Sequence, residues 1–92
     1  MKYQKRPLTV EAMQFDGSKE SANRILDWAG PESGMELIFT SLRAHHPNVL
    51  LVHTLEGVVR ALKTSWIIRG ISGEFYPCKN DIFQAAYERV EE

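Results

Sequence analysis

Trp66-Ile67-Ile68-Arg69-Gly70-Ile71-Ser72-Gly73-Glu74-Phe75-Tyr76-Pro77-Cys78-Lys79 is the stretch whose reading decides the fold. Trp66 to Gly70 has the β-branched and aromatic content of a strand, Ile71-Ser72-Gly73 is turn chemistry, and Glu74-Phe75-Tyr76 returns. Pro77 marks the end of that strand. Upstream, Val49 to Thr54 reads as a strand, Leu55-Glu56-Gly57 as a tight turn and Val58 to Leu62 as the return. Gly57 supplies the positive φ of a type I turn with a G1 bulge. Lys63-Thr64-Ser65 then turns the chain into Trp66. Three successive antiparallel connections predict a β-meander.

Working outward, residues 7–15 predict a first strand, with Pro7 at its start. Leu8, Val10 and Ala12 alternate with polar residues, while Met13 and Phe15 have the opposite parity. Either a bulge shifts the register or both faces are covered there. Asp16-Gly17-Ser18 is turn and cap chemistry, and Ala22, Ile25, Leu26 and Ala29 form the apolar stripe of a helix. Gly30-Pro31 stops it. Trp28 lies beside the stripe, placed to close the helix against the sheet. Glu36 to Thr40 fits a strand, and 41–48, with Pro47, a surface loop. Asn80 or Asp81 caps a short helix that turns Ile82, Phe83 and Ala86 inward, and Tyr87 to Val90 fits a closing strand. The expected fold is α+β: an antiparallel β-meander sheet of five or six strands, one main helix over 18–29 packed on it, and a short C-terminal helix over 80–86. Residues 1–92 form a single domain, because so short a chain cannot hold two cores.

Composition narrows the function classes. Apolar residues make up 43% and charged residues 25% of the chain, ordinary for a globular protein. A formal charge of −1 gives no long-range field to concentrate nucleic acid or anionic lipid. The lone cysteine, Cys78, excludes an internal disulfide framework and fits a reducing compartment. No signal-like or membrane-length apolar run is present, so no membrane partner is expected.

The chemistry-bearing residues read mostly as structure. His45-His46 point to opposite sides of an extended chain, and neither His53 nor Cys78 stands at metal-ligand spacing. Cys78 could pair with a histidine as a nucleophile, but a buried structural thiol is the simpler reading. No phosphate-cradling glycine loop or poised carboxylate pair is visible, so no catalytic residue, metal or cofactor is expected. A ligand or partner site has one supply of convergent groups, Arg60, Arg69, Tyr76 and Lys79, on or beside the meander. The bland account is that Arg69 and Glu74 form a cross-strand pair. The loop 41–48 is a second place for a partner.

Two blocks of sequence resemble a family of small uncharacterised proteins of bacteriophages and prophages, especially those of actinobacteria. One is Lys5-Arg6-Pro7 with Val10-Glu11-Ala12-Met13-Gln14-Phe15. The other joins Thr54-Leu55-Glu56-Gly57, Trp66 to Gly70, Gly73 to Lys79, Asp81-Ile82-Phe83 and Tyr87-Glu88. The family's usual Pro-Gly-Asp before the Trp, which also resembles the small PGDYG-type domains, is replaced here by Lys63-Thr64-Ser65. A proline is usual where this chain has Asn80. The resemblance implies a phage accessory protein acting in the cytoplasm of the infected host bacterium, and it transfers no catalytic residue. The expected role is a non-enzymatic binding protein that modulates a host protein or a defence component. Alternatives are a small anionic-ligand or nucleotide binder and a minor virion or assembly component. Unpaired sheet edges also favour a homodimer, through edge pairing or face packing.

Overall fold

A computed structural model describes residues 1–4, 6–38 and 48–90. His45, His46 and all of the 41–48 loop except Asn48 fall outside them. The fold is α+β. The described elements run β1 (Glu11–Gln14), α1 (Lys19–Ala29), a 3₁₀ turn (Pro31–Ser33), β2 (Glu36–Ile38), β3 (Val49–Thr54), β4 (Gly57–Ala61), β5 (Trp66–Arg69), β6 (Phe75–Cys78) and α2 (Asn80–Ala86).

All the pairings are antiparallel, but the strands do not form one meander sheet. They divide into a first sheet of order β1-β5-β6 and a second of order β2-β3-β4. The hairpins β3–β4 and β5–β6 are as expected, whereas the step from β4 to β5 is a change of sheet. Its cause lies in the connector. The N–H of Thr64 donates to the Phe15 carbonyl at 2.7 Å, and the N–H of Phe15 donates to the Ser65 carbonyl at 2.9 Å. The turn therefore spends its backbone groups on the end of β1 and delivers β5 to β1, not to β4.

β1 is shorter than residues 7–15. Glu11 pairs with Arg69, and beyond that pair β5 has turned away at Gly70, so residues 7–10 have no ladder to join. The register runs unbroken from Glu11↔Arg69 to Gln14↔Trp66, which excludes a bulge. Both faces are covered: Met13 packs toward the core cluster, and Ala12 shares the other face with Ile68.

α1 begins where local chemistry puts it. The Ser18 hydroxyl accepts the Ser21 N–H at 3.0 Å, and the Asp16 carboxylate accepts the Ser18 N–H at 2.8 Å. Hydrogen bonds from the Ser18 hydroxyl first, and then from the Ser18 N–H, hold the Asp16 carboxyl below its ordinary value. At the other end the Gly30 N–H donates to the Leu26 carbonyl, and Gly30 adopts φ 84°. Ala22 and Ile25 of α1 are fully buried with Phe15, Leu50, Val52, Ala61 and Ile67, and Leu26, Trp28 and Ala29 pack against that cluster. One core thus sits between α1 and the facing sides of the two sheets, with β6 lying against β3 and β4.

The C-terminal region departs from expectation in four ways. Pro77 does not end its strand but pairs with Ile67 inside β6, an edge strand where a missing N–H is tolerated. The cap of α2 is Lys79, with no side-chain bond, and Asn80 is the first residue of the helix itself. None of the helix is fully buried: Ile82 is 55% exposed and Phe83 is half-buried. Tyr87 to Val90 forms no strand. Instead Phe83 stacks on Trp66 (centroids 4.1 Å apart, planes 8° apart) and Tyr87 on Phe83 (4.9 Å). The Asn80 Oδ1 accepts the Trp66 indole N–H at 2.9 Å. This aromatic layer covers the side of the first sheet that faces away from the core. Among the described residues no helix is long and apolar enough to cross a membrane.

Candidate functional site

The four residues singled out by the sequence do not converge. Arg69 is a structural clasp. Its guanidinium lies over the Trp28 ring (4.7 Å) and the Phe75 ring (5.2 Å) and donates to the Trp28 carbonyl at 2.6 Å. It also reaches Glu11, its cross-strand neighbour, at 3.5 Å, and Glu11 accepts the Trp28 indole N–H. Glu74 is not its partner. The Glu74 carboxylate folds over its own turn and accepts the Ser72 N–H, so close to Gly70 that a Cβ there would overlap it. Since α1 has no basic residue in its last turn, Arg69 brings from the sheet the positive charge that a helix C-terminus favours.

Tyr76 is likewise engaged. Burial first, and then the bonded Tyr87 hydroxyl, push its phenol up to about 12, so it stays neutral through the physiological range. It lines a shallow hollow of about 330 Å³ with Thr54, Leu55, Glu56, Val59, Glu74, Phe75 and Pro77. Cys78 is half-buried, not fully buried as expected, and lies on the side of the first sheet away from the core. Burial and then the Asp81 carboxylate raise its thiol above the ordinary value. A raised thiol pKa is the reverse of what activates a nucleophile.

Arg60 and Lys79 do come together. They line one open cleft of about 600 Å³ between β4 and the end of β6. Val59, Leu62 and Pro77 give the cleft its apolar walls, and Lys63 adds a third cation. Among the described residues neither Arg60, Lys63 nor Lys79 forms an ion pair, and Asp81 is the one acid of those residues that lines the cleft. Lys63 escaped sequence reasoning, which read Lys63-Thr64-Ser65 as a turn alone. That turn is also strained. Thr64, in the cleft wall, has φ 79°, the left-handed region where glycine is at ease and a β-branched residue is an outlier.

No family model, no curated protein and no solved structure matches this chain. Among the described residues no three His, Cys, Asp or Glu side chains gather as metal ligands.

Proposed function

We propose that this chain is a non-enzymatic binding protein whose working surface is the β4–β6 cleft, and that it engages an acidic patch of a partner protein. The observation that carries this reading is the gathering of Arg60, Lys63 and Lys79, without ion-pair partners among the described residues, around apolar walls. Cations at such a rim steer and orient an acidic partner, and the apolar walls add buried area. The strained Thr64 beside them fits a surface kept for contact and not for stability alone.

A nucleotide is a poorer fit to the same cations. Binding a base favours an aromatic platform, yet Trp66, Phe83 and Tyr87 stack on one another and Tyr76 lines the neighbouring hollow. The resemblance to phage proteins supports the further reading that the partner is a host protein or defence component met in the cytoplasm of the infected bacterium.

Affinity capture from bacterial lysate with the tagged wild type and with the Lys63→Ala/Lys79→Ala double variant tests the proposal. The expected result is a partner retained by the wild type and lost by the variant. In parallel, a thermal-shift panel compares an acidic peptide with nucleotides, since tight binding must raise the melting temperature. Equal capture by both proteins, or a shift with nucleotides alone, overturns the reading.

A further inference from the structure

β3 reads Val49-Leu50-Leu51-Val52-His53-Thr54, apolar at both parities where a half-exposed strand would alternate. Leu50 and Val52 are fully buried in the core. Val49, Leu51 and His53 therefore lie on the outer face of the second sheet. The register sets that face out in rows: Ile38 beside Val49, then Glu36, Leu51 and Arg60 across all three strands, then His53 beside Val58. The face is open. Val58 is 55% exposed and Ile38 40%, and Glu36, His53 and Arg60 are exposed as well.

We infer that this outer face is where two copies of the chain associate, face to face, about a two-fold axis that runs along β3. The charges choose the occupant and the axis. An acid on one outer strand and a base on the other, with an aliphatic residue between, make a self-complementary row. A two-fold axis along β3 sets Leu51 against Leu51 of the second copy. It brings Glu36 over the second copy's Arg60, and Arg60 over its Glu36. The other in-plane axis, across the strands, would oppose acid to acid and base to base. Only the first arrangement covers the apolar rows and neutralises the charges beside them.

The contact is small. Strands about 4.8 Å apart and roughly 17 Å long give a face well below the area of a standard interface, so only weak association is expected. Arg60 stands where this face meets the cleft, but Lys63 and Lys79 belong to none of the three strands. The two proposals are therefore separable by mutation.

Sedimentation equilibrium from about 5 to 500 μM tests the inference across the range expected for a weak contact. The wild type should pass from monomer to dimer, and Leu51→Glu, which opposes two carboxylates on the axis, should stay monomeric. Glu36→Arg and Arg60→Glu should each weaken association about tenfold, and the double swap should restore it. The swaps are at exposed positions and leave the core untouched, so they decide the matter even if Leu51→Glu unfolds. Lys63→Ala/Lys79→Ala should leave association unchanged. A wild type that is monomeric throughout, or a double swap that associates no better than either single variant, overturns the inference.

Discussion

Thr64 and Arg69 show how one residue can be set by distant parts of the chain. The backbone of Thr64 is pinned on both sides: its N–H donates to Phe15, and its carbonyl accepts the Gln14 amide at 3.0 Å. Those bonds hold φ at 79° whatever side chain is present. Thr64→Gly should therefore stabilise the fold by about 1 kcal/mol, the relieved strain exceeding the entropy cost of glycine. Urea midpoints for Gly and Ala variants check this, with Ala gaining much less because its φ remains unfavourable. Arg69 makes the opposite prediction. Removing its planar, stacked, hydrogen-bonded guanidinium should cost roughly 2 kcal/mol in Arg69→Ala, and Arg69→Lys should not rescue it. Arg60→Ala and Lys79→Ala, at exposed positions, should stay within about 0.5 kcal/mol of wild type. Thermal melts of the four proteins separate a structural arginine from binding cations.

At the scale of elements, the two helices rest on different foundations. α1 carries its own start and stop in Asp16, Ser18 and Gly30, and its stripe reaches the core, so its bounds match the sequence reading. α2 is a short helix with no side-chain cap and no fully buried residue. It is held by the Trp66–Phe83–Tyr87 stack and by Asn80, whose Oδ1 also lies 3.3 Å from the Gln84 amide and 3.4 Å from that of Gln14. Asn80→Ala should leave the Trp66 indole N–H without its partner and cost about 1 kcal/mol. The loss should appear first as fraying of α2, read as a red shift of tryptophan emission and faster amide exchange over 80–87, before the core melts.

For the molecule as a whole, the strands of the two hairpins were legible and the sheets were not. Each hairpin is signalled by its own turn: Gly57 at φ 115° and Gly73 at φ 84° sit where the residue order puts them. The step at Lys63-Thr64-Ser65 looked like a third hairpin because turn chemistry is the same whether the next strand pairs with the last or leaves it. The candidate site was divided by register as well as by sheet. In the β5–β6 hairpin Arg69 pairs with Phe75 and Tyr76 with Ile68, so these two side chains face opposite sides however the sheets divide. That register sends Arg69 to the α1 side and Tyr76 to the other face, and the division of the sheets leaves Arg60 and Lys79 to meet Lys63 in the cleft.

The sequence by itself determined the turns of the two hairpins, the bounds of α1, the hairpin partners and the apolar stripe that α1 turns to the core. Those features depend on the φ preferences, caps and periodicity of residues a few places apart. Tertiary structure alone decided that β5 pairs with β1, across more than fifty residues from Gln14 to Trp66, and that β6 rather than β5 lies beside β4. It also decided the fate of each charged side chain. A guanidinium reads the same in sequence whether it will close a helix against a sheet or stand in an open cleft. What separates Arg69 from Arg60 is the surface each meets once the chain has folded.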